Sequence, residues 1–183
     1  MIQLGDTLPD GILYHIDAAT RILHILSIRH LFAHKRVLLL GVPGAYTPSC
    51  RQVTFFPRSC LISSYSLRLS SVEHIPGYIS KAPSLHAKGI TNIYCLTVND
   101  PFVTHQWSKT FADNNDAVRF LADGSATFTK ALGMDIDLTR HGMGVRGRRF
   151  VLFADNLRVR KLIVEYPGEA ANIAVDDVLK LFI

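Results

Sequence analysis

The sequence has few of the features that mark secreted and membrane proteins. Its 183 residues contain three cysteines, Cys50, Cys60 and Cys95, an odd number and too few for a disulfide framework. The most apolar run, residues 37–42, is far shorter than the roughly 20 residues that span a bilayer. The first residues include Asp6, where a secretory signal would have basic residues and then a long apolar run. These absences predict a cytoplasmic protein in a reducing compartment, with no membrane segment.

Acidic residues are absent from one long stretch of the chain. No Asp or Glu occurs between Ala18 and Val72, although several Lys and Arg fall there and the formal net charge is +5. Such a stretch could attract nucleic acid or an anionic surface. Because no aromatic RNA-binding signature or zinc-finger spacing accompanies it, the pattern favours a positively biased face, and nucleic acid is not an expected partner.

The length and pattern predict one α/β domain over residues 1–183. Hydrophobic residues make up 48% of the chain and charged ones 19%, an ordinary globular balance. The predicted strands are Val37–Val42, Ile90–Val98, Val118–Ala122 and a hairpin of Arg149–Ala154 and Val159–Val164 around an Asp155-Asn156 turn. The predicted helices are His74–Ala87, Val103–Asn114, Ala126–Leu132 and Val175–Phe182. This alternation indicates a mixed central sheet flanked by helices.

The segment after the first of these strands contains a candidate nucleophile. A thiol reacts as thiolate, and the first turn of a helix lowers its pKa through unpaired N–H groups and the helix dipole. A buried strand followed by Pro43-Gly44 could deliver Cys50 to such a position, with the Thr47 hydroxyl within reach of the sulfur or a substrate oxygen. Arg149, at the start of a later strand, is a candidate for the positive charge that the site needs. The alternative is that Cys50 packs as a small buried hydrophobe.

The same segment resembles a known family. Pro43-x-x-x-Thr47-x-x-Cys50 is similar to the peroxidatic motif of the peroxiredoxins, and residues 41–48 resemble their type II (peroxiredoxin V-like, plant-type) branch. Further matches follow in order along nearly the whole chain: Gly5–Pro9, His74–Tyr78, Lys88–Gly89, Val98–Val103 with Trp107, Leu121–Gly124 and Gly144–Phe150.

The resemblance implies a thioredoxin-like (redoxin) domain and an antioxidant thiol peroxidase that uses no cofactor and no metal. Cys50 would attack the terminal oxygen of hydrogen peroxide or an alkyl hydroperoxide and become a sulfenic acid. Thr47 would bind the peroxide, Pro43 would wall the pocket, and Arg149 would stabilise the thiolate and the charge developing on oxygen. Arg146 is a second candidate for the role of the arginine.

The resemblance also bears on recycling and assembly. Cys95 matches the position of a resolving cysteine in plant-like members, so an intramolecular disulfide with Cys50 is one route. The alternative is that Cys95 is strand packing and an external thiol reduces the sulfenic acid directly. Thioredoxin or glutaredoxin with glutathione would supply the electrons, and the family suggests a homodimer.

One segment departs from the family pattern. Residues Val53–Val72 read as an insertion two residues after Cys50-Arg51-Gln52, and Pro57 would break a helix that continued through it. Three outcomes are open: a short active-site helix survives, the helix start and the thiolate are lost, or exposed apolar residues cause misfolding. The rival function is a catalytically impaired protein with a redox-sensing or binding role. Cys60 is a spectator or forms a local disulfide, and Pro83 predicts a kink or a late helix start.

Overall fold

A computed structural model describes residues 1–47, 74–165 and 173–182. The strands in these ranges are β1 (Ile12–Ile16), β2 (Leu23–Ser27), β3 (Arg36–Val42), β4 (Asn92–Thr97), β5 (Arg119–Ala122), β6 (Asp135–Asp137), β7 (Val145–Gly147), β8 (Phe150–Asp155) and β9 (Arg158–Val164). The helices are α1 (Ile28–Phe32), α2 (His74–Ser80), α3 (Ala82–Ala87), α4 (Pro101–Ser108), α5 (Thr127–Ala131) and α6 (Val175–Lys180). None of these helices is long and apolar enough to cross a membrane.

Seven of the described strands form one mixed sheet in the order β2-β1-β5-β4-β3-β8-β9. Strands β3, β4 and β5 are parallel, and the strands on either side of them are antiparallel to their neighbours. β6 and β7 form a separate two-stranded ribbon. The predicted α/β class with a mixed sheet and flanking helices is confirmed, and the five predicted strands are β3, β4, β5, β8 and β9.

Both faces of the central strands are buried. On one face, side chains of α2, α3 and α6 pack with Trp107 of α4 against alternate residues of β3 and β4. On the other face, α1 and α5 cover the intervening residues of the same strands. Strands covered on both sides read as continuous apolar runs, which is why β3 was recognisable from its sequence.

The direction of the strands brings several loops to one edge of the sheet. β3 and β4 are parallel, so their carboxyl ends lie side by side, and β8 runs opposite to β3, so its amino end joins them. Gly41 is directly opposite Phe150, and a Cβ at Gly41 would overlap the Phe150 ring. Only glycine permits this close approach of β3 and β8, which sets the register of the edge.

Two helices differ from their predicted extent for local reasons. The predicted helix from His74 is interrupted at Lys81, and Pro83 lies in the first turn of α3, where proline is tolerated. The late helix start predicted from Pro83 is thereby confirmed. α4 begins earlier than predicted because the Asp100 carboxylate accepts from the N–H groups of Phe102 and Val103, and it ends at Ser108 rather than at residue 114.

The last hairpin is correct in its pairing but shifted in its turn. Asn156 and Leu157 form the turn with φ of 46° and 68°, so Asp155 belongs to β8 rather than to the turn. Positive φ at both central residues matches the twist of the two strands. The β1–β2 hairpin, α1 and the β6–β7 ribbon were not predicted.

Candidate active site

The loop after β3 is held in a tight, specific conformation. Pro43 is half-buried, and the N–H of Ala45 donates to the side-chain carbonyl of Asn99 at 2.8 Å. Tyr46 has a left-handed φ of 58°, and the Thr47 hydroxyl donates to the carbonyl oxygen of Gly44 at 3.0 Å. The chain is therefore turned and bonded to the end of β4 just before it continues toward Cys50.

Arg146 of β7 ties this loop to its neighbours. Its Nε donates to the carbonyl oxygen of Met143 and its Nη1 to that of Val98, both at 2.8 Å. A Cβ on Gly44 would lie 3.1 Å from Asn99 Oδ1 and 3.3 Å from Arg146 Nη1. The absence of a side chain at Gly44 lets both polar groups approach the loop.

Arg149 lies at the same edge, immediately before β8. The pairing of Gly41 with Phe150 places Arg149 beside the last residue of β3, next to Pro43. Its side chain is 9% exposed, and its Nε lies 3.0 Å from Glu165 Oε2. The backbone N–H of Glu165 also donates to the carbonyl oxygen of Arg149 at 2.9 Å. A largely buried cation is therefore fixed beside the strand end that leads to Cys50.

A small cavity joins Arg149 to the elements around it. It is lined by Val42 at the end of β3, by Tyr78 of α2, and by Arg149 and Ile173. The Tyr78 hydroxyl donates to the carbonyl oxygen of Ile173 at 2.7 Å, and burial raises the pKa of Tyr78 well above its usual range. Tyr78 therefore stays protonated and serves as a hydrogen-bond donor at neutral pH.

Cys95 lies inside the sheet rather than at this edge. It is fully buried in β4, in register with Leu40 of β3 and Phe120 of β5. Its side chain belongs to the core cluster that α2 and α3 cover. The structure therefore brings Pro43, Thr47, Arg146 and Arg149 to one edge and places Cys95 deeper, under the helices.

Cys50, Cys60 and the predicted insertion Val53–Val72 lie outside the described residues. The described chain leaves the site at Thr47 and returns at α2, so the ends of this segment border the edge and the face described above. The three outcomes for the insertion, and the two for Cys60, stay predictions.

Sequence reasoning assigned no role to Asn99 or Glu165. Asn99 lies in a segment that carried the resemblance, but its contact with Ala45 depends on the path of a loop 54 residues away in sequence. Glu165 follows the last predicted strand, and its opposite charge was the available signal. Pairing it with Arg149 required the exact register of β8 and β9, in which Phe150 is opposite Val164.

Comparison with known proteins agrees with the geometry. Residues 3–179 match the model of the Redoxin family. The chain is 41% identical over 179 residues to Peroxiredoxin-2C of Oryza sativa subsp. japonica, covering 98% of this chain and 97% of that protein. The same values hold for Peroxiredoxin-2B of Arabidopsis thaliana. The fold is similar to that of reduced Prx3 in complex with H2O2 from Vibrio vulnificus, with a TM-score of 0.81 and 33% identity over 100% of both chains.

Proposed function

Because this chain belongs to the Redoxin family as a type II peroxiredoxin, a thiol peroxidase with the thioredoxin-like fold, we propose that Cys50 is the thiol its peroxide substrate oxidises. The observation that supports this assignment best is the convergence of two elements at one edge of the sheet. The Pro43–Thr47 loop leads directly to Cys50, and the buried Arg149 lies beside the strand from which that loop leaves.

In the proposed reaction the Cys50 thiolate attacks the terminal oxygen of the peroxide. An S–O bond forms as the O–O bond breaks, and the leaving oxygen takes a proton to become water or an alcohol. Arg149 stabilises the thiolate beforehand and the negative charge on oxygen during the transfer. Thr47 contributes its hydroxyl to the bound peroxide, and Pro43 excludes water from one side of the pocket.

Peroxides are the substrates that the family implies, and hydrogen peroxide is bound in the similar structure from Vibrio vulnificus. We extend the proposal to organic hydroperoxides, because the site binds the two peroxide oxygens and the organic group occupies the leaving-oxygen side. Thioredoxin or glutaredoxin with glutathione is the proposed reductant. A homodimer and a cytoplasmic location stay predictions, to be tested by light scattering and by imaging of the tagged full-length chain.

Cys95 is proposed as the resolving cysteine. It lies on the face of the sheet covered by α2, the helix that follows the Cys50 segment. A disulfide needs the two Cα atoms within about 7 Å, and Cys95 is buried, so β4 or α2 has to open locally for the bond to form. The Cys95 thiolate then attacks the Cys50 sulfenic acid, and water is released as the S–S bond forms.

The test uses reduced full-length protein mixed anaerobically with one equivalent of hydrogen peroxide and quenched at short times. Intact mass is read with and without dimedone, which traps sulfenic acid, for wild type, Cys50→Ser, Cys95→Ser and the matched thiol control Cys60→Ser. We expect rapid oxidation in wild type and Cys60→Ser and none in Cys50→Ser. Cys95→Ser should accumulate the dimedone adduct, whereas wild type should lose two mass units to a disulfide.

Each part of the proposal has its own contradicting result. Slow oxidation that persists in Cys50→Ser contradicts the catalytic assignment and favours the impaired, redox-sensing alternative. Fast oxidation of Cys50 with equal dimedone trapping in wild type and Cys95→Ser keeps the peroxidase but contradicts the resolving role. Loss of the disulfide in Cys60→Ser would assign resolution to Cys60 instead.

A further inference from the structure

Glu165 contacts the proposed catalytic arginine from the neighbouring strand. We propose that Glu165 is a positioning residue for peroxide reduction: it orients the guanidinium of Arg149 toward the bound peroxide without touching the peroxide itself. This inference rests on the proposed function, in which Arg149 stabilises charge at the Cys50 site.

Two bonds join Arg149 and Glu165 at the open end of the β8–β9 hairpin. The carboxylate accepts from Arg149 Nε at 3.0 Å, and the backbone N–H of Glu165 donates to the Arg149 carbonyl oxygen at 2.9 Å. The pairing of Phe150 with Val164 makes Arg149 and Glu165 the next cross-strand pair of the ladder. One bond sets the distance between the backbones, and the other sets the direction of the side chain.

The burial of this pair separates it from the surface ion pairs of the described residues. Lys81 and Asp176 have side chains 50% and 72% exposed, and Lys180 and Asp177 are 69% and 34% exposed. Arg149 is 9% exposed and Glu165 37%. Exposed pairs contribute little because water and salt screen them, whereas a buried cation needs a partner to be held in place.

A bond at Nε has a particular consequence for a guanidinium. The group is planar, so fixing Nε fixes the orientation of the whole plane and of its two terminal nitrogens. The long arginine side chain otherwise samples many rotamers, and each one lost on ordering costs free energy at the moment of reaction. Glu165 orders the side chain before the peroxide arrives, which is the preorganisation that transition-state stabilisation requires.

The carboxylate also has an electrostatic effect of the opposite sign. Its negative charge offsets part of the positive charge of Arg149, so its removal should lower the pKa of the Cys50 thiol or leave it unchanged. Reduction of peroxide should nevertheless slow, because the cation is no longer aimed at the oxygen. A residue that only stabilised the hairpin would not separate these two quantities.

The experiment compares Glu165→Gln and Glu165→Ala with wild type. Asp155→Asn is the matched control, because Asp155 is a carboxylate at the opposite end of the same hairpin. Three quantities are measured: the rate constant of Cys50 with hydrogen peroxide, its rate of alkylation by iodoacetamide, and the thiol pKa from the pH dependence of that alkylation. Thermal unfolding of each variant is recorded in parallel.

We expect Glu165→Ala to lower the peroxide rate constant about 10- to 100-fold, and Glu165→Gln to lower it less, since the amide oxygen still accepts from Nε. The alkylation rate and the thiol pKa should be unchanged or shifted toward more thiolate, and Asp155→Asn should match wild type throughout.

Two results would overturn this inference alone. One is a peroxide rate constant in Glu165→Ala within twofold of a wild type that does react through Cys50. The other is a parallel loss of peroxide reduction, alkylation and thermal stability, which would make Glu165 a structural residue. If wild type itself shows no reaction through Cys50, the proposed function fails first and the inference fails with it.

Discussion

Two segments bring an arginine to the same edge of the sheet, but they bind it in different ways. In β7, Arg146 donates from Nε and Nη1 to two backbone carbonyls, those of Met143 and Val98. Immediately before β8, Arg149 is held by the carboxylate of Glu165 on the adjacent strand. Both arginines matched the family segment in the sequence, and their partners now distinguish them.

The difference teaches how a positive charge is put to use. Arg146 spends two donors on carbonyl oxygens of separate loops, so its position depends on those loops and theirs on it. Arg149 is paired with a single carboxylate across the hairpin and borders the cavity between β3 and α2. The contacts favour Arg149 as the group that acts on the peroxide and Arg146 as the anchor of the loops around it.

The largest effect should come from Arg149→Ala. Removing a donor aimed at developing negative charge typically costs 10²- to 10³-fold, so we expect a fall of that order in kcat/KM for hydrogen peroxide. Arg149→Lys should recover only part of the loss, because an ammonium group keeps the charge but lacks the planar fork. Stopped-flow measurement of the peroxide-dependent step, with all variants at equal concentration of reduced Cys50, gives the comparison. Equal activity of Arg149→Ala and wild type would return the role to Arg146.

An intermediate effect, mainly on stability, is expected for Arg146→Ala. Hydrogen bonds from a charged group contribute about 1.5 to 3 kcal/mol each, and this change removes two of them to backbone carbonyls that water can partly resolvate. We expect the free energy of unfolding to fall by about 2 kcal/mol in urea, and the peroxide rate constant to fall by less than in Arg149→Ala. A variant with full stability and a 10²-fold lower rate would contradict the division of roles.

The sequence predicted the elements whose burial is symmetrical. β3 is apolar along its length because helices cover both of its faces, and it could be recognised without any other information. β2 could not, because it is an edge strand with Leu23 and Ile25 exposed and shows no regular alternation of burial. The β1–β2 hairpin is therefore recognisable only from its pairing.

The same limit applies to the site. Pro43, Thr47 and Arg149 were identified because their neighbours in sequence form a recognisable motif. Asn99 and Glu165 act through partners that are distant in sequence, one across a loop and one across a hairpin. A prediction of such contacts requires the register of two strands to the residue, and a shift of one position would have removed both.

The smallest effect is expected for Asn99, whose side-chain carbonyl binds the N–H of Ala45 at 2.8 Å. Asn99→Ala leaves that N–H without its acceptor; since Asn99 is only half-buried, water can take part of its place, and the loss should be about 1 kcal/mol. Asn99→Asp keeps an acceptor at the same position and should recover most of the stability, which separates the hydrogen bond from mere side-chain volume. Urea unfolding of the two variants provides the measurement. Equal destabilisation by both changes would mean that the loop depends on the shape of Asn99, and Arg146 would then be its main polar anchor.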